Sequence, residues 1–324
     1  MRKRVLPGLI SVLSCLAIAT LPSAQAQDYP SKLVNIIMPW GDGFPANSTR
    51  LYAEELGKRL GQTFVVQPKP GAGGEVAAKQ VMTSAADGYT LLVTGSSITI
   101  RAATDDRNAD GERDLTPIAQ ITTTPYVIVA KKGRYGDFDA WLAEAKSPDS
   151  KVDFASAGVG TGMHYLGELI NIHAGTSMVH VPYGSGAKQL QAVLAGDVDV
   201  AIISLVTALP QIQAGALEPL AVSSTQRSSL LPKVPTLVEQ GLKDIPSIGA
   251  WIAMFGPKDM EPAALARLSQ TVSEIAKDPA VIERVASWGA EIPDTGTEYL
   301  SEVIRAEKAS WSRLIKEQNL PTAS

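Results

Sequence analysis

The chain has 324 residues, enough for two domains with sizeable cores, and its 45% hydrophobic and 19% charged composition is that of an ordered globular protein. The first 26 residues hold three of the 29 basic residues and none of the 33 acids, so the remainder carries 26 − 33, or −7, which argues against nucleic acid as a partner. The only cysteine is Cys15, so beyond the N-terminal stretch a disulfide framework, a thiolate metal site and a cysteine nucleophile are all excluded.

Arg2, Lys3 and Arg4, an apolar run over 9–21 and the small-residue sequence Ala24-Gln25-Ala26 give the pattern of a secretory signal. Cleavage is expected before Gln27. A lipoprotein reading at Cys15 is weaker, because that residue lies inside the apolar run. No other stretch of ~18 apolar residues is present to span a membrane.

From there, apolar segments alternate with helical patterns, which predicts an α/β architecture with a largely parallel sheet. Strands are expected at 34–38, 64–66 and 89–94, with helices after the first two. A loop over 39–48 follows the first strand, Pro70-Gly-Ala-Gly-Gly74 opens the second helix, and Gly95-Ser-Ser97 ends the third strand. The polar stretch 108–114 reads as an exposed loop. The pattern then restarts with a strand at 126–130, a helix at 138–145 and strands at 152–156, 179–181, 198–203 and 220–222. From Glu261 the chain reads as mainly helical, with Pro262 at a helix start and a long amphipathic helix over 298–314. Two α/β blocks joined by two crossings suggest a two-domain clamp, with residues 27–123 and 226–324 in one domain and 124–225 in the other.

The most informative stretch is 152–169. A short apolar strand runs through Gly158, Gly160 and Gly162 into a helix with Leu166, Leu169, Ile170 and His173 at helical spacing. Such a helix aims its free N–H groups and positive dipole end at the loop, which makes an anion site. The glycines do not fit a dinucleotide fingerprint, because their spacing is wrong and the next strand lacks its terminal acid. Pro70 to Gly74 lacks the Lys-Ser/Thr of a phosphate loop. Ser185-Gly-Ala-Lys188 lacks the companion motifs of penicillin-recognising enzymes. The histidines His164, His173 and His180 show no zinc spacing. No metal, no cofactor and no catalysis are therefore expected.

A string of motifs spans the chain: Tyr29-Pro-Ser-Lys32, Pro68-Lys-Pro-Gly-Ala-Gly-Gly74, Ala86-Asp-Gly-Tyr-Thr-Leu-Leu92, Asp114-Leu-Thr-Pro117, Phe154-Ala-Ser-Ala-Gly-Val-Gly-Thr-Gly162, His180-Val-Pro-Tyr183, Ala221-Val-Ser-Ser224, Val234-Pro-Thr236, Trp251 and Ile304-Arg-Ala-Glu307 with Trp311. In this order and spacing the chain resembles the Bug-type periplasmic solute-binding receptors of tripartite tricarboxylate transporters. The resemblance implies a two-domain type II periplasmic binding protein, a Venus flytrap with its ligand cleft between the domains. It further implies capture of a small carboxylate and delivery to a membrane permease. The receptor itself is expected to be periplasmic and monomeric, with no nucleic-acid partner.

Two loops would grip the ligand, 39–48 and 158–164, largely through backbone groups. The first supplies Trp40, Gly41, Gly43, Phe44, Asn47 and Ser48, and the second Gly160, Thr161, Gly162 and His164. Ser96 and Ser97 at a strand end, with Tyr183, Ser204 and Trp251, complete the expected lining. Thr161 is also a reasonable N-cap. His164 is left between ligand contact and local capping, and Trp251 between ligand contact and core. Asp42 is expected to point away from the cleft. The family's acid in the first loop falls on Asn47 or Ala46, and Ile203-Ser204 replaces a usual Asp-Asn. Both changes remove a carboxylate, which suits a second ligand carboxylate, and Trp40 suits a flat one. The expectation is a dicarboxylate, aromatic of phthalate type in preference to linear C4–C6. Alternatives are a sensor partner of a signalling protein and an exported α/β hydrolase.

Overall fold

The computed structural model describes residues 29–105 and 107–320, so the signal-peptide reading of 1–26 lies outside the described residues. Strands β1 (Val34–Met38), β2 (Phe64–Pro68) and β3 (Thr90–Gly95) are parallel, with β1 in the middle. Strand β4 (Leu115–Lys131) is 17 residues long and is shared by two sheet halves. Its first part pairs antiparallel with β9 (Gly249–Pro257), which also pairs antiparallel with β3. Its second part pairs antiparallel with β7 (Val200–Ser204) and β8 (Leu217–Val222). Parallel strands β5 (Asp153–Ser156) and β6 (Val179–Pro182) continue beyond β7. The order is β2-β1-β3-β9-β4-β7-β5-β6, with β8 on β4.

Each half is covered on both faces, and strand alternation decides which core a residue joins. Ile36 packs with helices α1 (Phe44–Leu60), α8 (Pro262–Ile275) and α9 (Pro279–Ser287), through Leu56, Leu268 and Val285. Its neighbour Ile37 packs on the other face with α2 (Glu75–Met82), α3 (Ser97–Thr104) and α10 (Thr297–Glu317), through Val81, Ile98 and Ile304. In the second half Ile128 joins the core of α4 (Phe138–Ala145) and α5 (Gly162–Ala174), whereas Val127 and Val129 join that of α6 (Gly186–Ala195) and α7 (Leu205–Gln213). Helix α10 belongs to both halves, with Leu300 and Ile304 in one core and Trp311 and Leu314 in another. Segment 226–248 likewise sends Leu237, Leu242 and Ile245 onto the second half.

Four local expectations are corrected. The stretch 39–48 is a loop only to Gly43, because Pro45 takes a first-turn position in α1, where its missing N–H and fixed φ are suited to a helix start. Gly95-Ser-Ser97 is no simple strand end but leads into α3. The strand expected at 126–130 begins at Leu115, with register shifts at Pro117/Ala119 and Gln120/Thr122. The polar stretch 108–114 is not an exposed loop: Ala109, Asp110 and Gly111 are buried. The Asp110 carboxylate accepts from the N–H groups of Glu112 and Arg113 and pairs with Lys308 of α10, which makes its burial tolerable.

Candidate functional site

Strand directions bring two sets of helix N-termini together. The end of β3, Gly95, is in register with Ile252 of β9, which in turn faces Thr122 of β4. The end of β7, Ser204, is in register with Tyr126 of the same strand. Because β3 runs with β4 and β7 runs against it, the two carboxyl ends point toward each other. They reach β4 four residues apart (126 − 122), roughly 13 Å at ~3.3 Å per residue. The helices that leave these strands, α3 and α7, together with α1 after β1 and α5 after β5, therefore start around one region. That is where α/β folds hold ligands.

The loop before α5 is tied down by its own side chains. Gly158 and Gly160 have φ of 146° and 77°, conformations that favour glycine. The Ser156 hydroxyl accepts the Gly158 N–H (3.0 Å), and the Thr161 hydroxyl donates to the Gly158 carbonyl (2.8 Å). Thr161 is the N-cap, accepting the His164 N–H at 3.3 Å. The Gly160 N–H donates inward to His164 Nδ1 (3.2 Å), so it is already engaged by the protein. Among the described residues, the amides of Gly162 and Met163 at the helix start face no protein acceptor. Gly162 itself is helical. Its reason for being glycine is steric, since a Cβ there would lie 2.8 Å from the Tyr126 hydroxyl.

His164 lies under this loop, 2% exposed. Its ring sits 4.1 Å from that of His180, and His180 Nε2 is 2.6 Å from the Ser156 hydroxyl. Burial, and then the neighbouring His180, lower the His164 pKa to about 4, so the ring is neutral at ordinary pH and Nδ1 is free to accept. Of the two roles open for His164, the geometry displays the local one.

The stretch before α1 is built differently. Gly43 is the N-cap and offers no side chain, and Gly41, Asp42 and Gly43 are exposed. Asp42 points into solvent and pairs with Arg50 at 3.5 Å. Asn47 is exposed and within 3.5 Å of the same arginine, whereas Ala46 is fully buried. Ser48 is fully buried too, and its hydroxyl donates to the Pro45 carbonyl. Phe44 packs edge-on against Trp288 at 5.9 Å. Trp40 is half-buried, with its ring 3.3 Å from where a Cβ on Gly95 would stand.

The remaining expected residues divide. Ser96 donates its N–H to the Trp251 carbonyl (3.1 Å), and its side chain lies near the Tyr126 hydroxyl. A contact chain therefore runs Trp40, Gly95, Ser96, Tyr126, Gly162, linking both halves. Ser97 is half-buried at the start of α3. Ser204 is 8% exposed with its hydroxyl lacking a protein partner. Tyr183 is half-buried and packs into the α6–α7 core. Trp251 is buried, and its indole N–H donates to both Glu307 oxygens at 2.9 Å. Burial pushes Glu307 up to about 7. A cavity of about 370 Å³ beside Gln120, Arg227, Tyr299 and Glu307 shares only Trp251 with the expected lining. Tyr126 carries no sequence signal as a site residue, and Glu307 only its place in the Ile304-Arg-Ala-Glu307 motif, because each gains its role from a distant partner. No group of three His, Asp or Glu side chains able to hold a metal exists among the described residues.

Two α/β halves joined at shared strands, with helix N-termini meeting between them, define the two-domain periplasmic binding protein of Venus-flytrap type. The comparisons agree. BugD, a periplasmic binding protein, superposes with a TM-score of 0.80 at 26% identity, over 91% of this chain and all of its own. MatC from Rhodopseudomonas palustris, solved with bound malate, superposes with a TM-score of 0.78 at 26% identity, over 89% of this chain and all of its own. A relative from Bordetella bronchiseptica, a UPF0065 protein, is 32% identical over 307 residues, or 93% of this chain and 90% of the relative. The family described as the tripartite tricarboxylate transporter family receptor matches residues 48–320. The chain belongs to that receptor family. Among the described residues no helix is long and apolar enough to cross a membrane.

Proposed function

We propose that this receptor is exported by its 1–26 signal and captures a small dicarboxylate in the periplasm for a tripartite tricarboxylate-type permease. Its lobes would be 27–123 with 226–324 and 124–225, with segment 226–248 and the end of α10 laid across from the first lobe onto the second. The observation that carries this reading is the set of unengaged donors at the α5 and α7 starts: the Gly162 and Met163 amides and the Ser204 hydroxyl. An anion placed there replaces water by oriented dipoles, so it is not left unpaired on closure. The opposite jaw, from Trp40 through Asn47, brings the Trp40 ring, a Phe44 ring already packed on Trp288, and no unpaired acid, since Asp42 is matched by Arg50. That composition accepts a second carboxylate, and the Trp40 ring favours a flat, phthalate-type acid. A linear hydroxy-acid is the second reading, favoured by the malate bound in MatC. Binding without turnover is the activity proposed.

A thermal-shift screen with mono-, di- and tricarboxylates, linear and aromatic, tests the proposal, because ligand binding raises apparent stability by mass action. Dicarboxylates should give the largest shifts. Stabilisation by amino acids or amides alone would overturn it.

A further inference from the structure

We propose that His164 is a positioning residue for the ligand loop, turning Gly160 inward while its imidazole is neutral, so that the receptor loosens its grip in acid. The inference rests on the carboxylate reading above for its effect on affinity. The brace itself is a property of the free protein.

The Gly160 N–H needs an acceptor, and His164 Nδ1 at 3.2 Å is the one it has. This bond closes a ring of contacts in which Thr161 receives the His164 amide and Ser156 receives that of Gly158. With Gly158 and Gly160 pinned inward, the helix-start amides of Gly162 and Met163 are the ones left to face a ligand. A protonated imidazole carries hydrogen on both nitrogens. Nδ1–H and the Gly160 N–H would then be two donors facing each other, and the loop has to rearrange.

The surroundings keep the ring neutral until the medium is distinctly acid. From β6, the His180 ring lies tilted at 4.1 Å, so a charge on one ring opposes a charge on the other. From β5, the side chains that bear on the pair are Phe154, stacked on His180, and the hydroxyl of Ser156. On α5 itself Tyr165 lies beside the ring, and Glu168 places a carboxylate 3.8 Å from Nε2. Burial raises the Glu168 pKa as well, which weakens it as a counter-ion. With its pKa held at about 4, His164 titrates below the range in which an exposed histidine responds.

The test follows the Gly160 amide by ¹⁵N–¹H spectroscopy from pH 7.5 to 3, through the titration of the ring, and measures phthalate and malate binding by calorimetry at pH 7 and 3.5. In His164→Asn the side-chain Oδ1 can accept the same N–H but does not titrate. In the unaltered protein the amide should shift with the imidazole, and affinity should fall in acid beyond what ligand protonation causes. His164→Asn should keep its neutral-pH affinity within a few-fold and lose the amide titration. His164→Ala should bind roughly ten-fold more weakly at pH 7, the loss of about one hydrogen bond. Should His164→Ala not fold, the asparagine variant and the amide titration carry the test. A Gly160 amide indifferent to pH, or an identical acid loss in His164→Asn, would overturn the proposal. If neither acid binds any variant, the carboxylate reading fails, and the amide titration still decides the brace.

Discussion

The two stretches proposed as jaws of the clamp, before α1 and before α5, share a plan but not a construction. The α5 loop is cross-tied by Ser156, Thr161 and His164, every one of them hydrogen-bonded to loop backbone. The α1 stretch has a glycine cap without a side-chain bond, and the hydroxyls closest to it, Ser48 and Thr49, turn back to the Pro45 carbonyl. In the proposed clamp one jaw is thus cross-tied by side chains before any ligand arrives, and the other has no side-chain cap. A fixed jaw suits the part common to all ligands of a class, a single carboxylate. A lightly tied jaw is where one ligand can be told from another.

The strongest way to break this contrast is Gly162→Val. The added carbons meet the Tyr126 hydroxyl at the start of α5, and overpacking costs about 1–3 kcal/mol. Ligand affinity measured by calorimetry should drop roughly ten- to hundred-fold, and an unchanged affinity would remove the fixed jaw from recognition. Gly43→Ala comes next. Its backbone, φ 108° and ψ −171°, lies where glycine alone is at ease, a strain of about 1–3 kcal/mol. Chemical denaturation should register the loss, while affinity falls less than for Gly162→Val because the exposed stretch can relax.

Protonation offers a third probe, since two buried groups titrate with opposite sign. His164 is held below its ordinary 6.5, so its contribution is intact above 6.5 and is lost as pH falls toward about 4. Glu307, behind Trp251, is held above its ordinary 4.5, so its contribution is intact below 4.5 and is lost as pH rises through about 7. Melting temperature should therefore decline on both sides. Glu307→Gln should flatten the alkaline side only, and a flattening of the acid side would contradict the assignment.

Asn47→Asp tests the free jaw. A new carboxylate there should weaken dicarboxylates several-fold and leave monocarboxylates nearly unchanged, read as a ratio of dissociation constants. Asp42→Ala is the smallest. Its solvent-exposed pair with Arg50 contributes less than about 1 kcal/mol, so neither stability nor affinity should move measurably.

Much of this was legible in the sequence for a physical reason: glycines before an amphipathic helix, and apolar strands covered on both faces, leave local marks. Thr161 is such a case, a hydroxyl at the helix start that caps it. What was not legible came from long-range pairing. The threonine run 122–124 reads as polar, yet it lies in β4 opposite β9. Strand β9 is apolar without alternation, and nothing near Ile252 announces that it will pair with Gly95. Ser48 reads as a cleft hydroxyl, yet the early start of α1 turns it to the core side. The acceptor for Gly160 could be located only once the helix had placed His164 beneath it.

Strand β9 also sets a timetable. Leu92 to Gly95 of β3 wait for Phe255 to Ile252, and the first part of β4 waits for the same strand. During synthesis the first sheet half therefore emerges with one flank open, and it stays open until most of the chain has followed. Such distant pairing slows folding, and an unpaired strand edge invites association with other chains. Truncation before residue 249 should accordingly leave a sticky fragment rather than a smaller folded lobe.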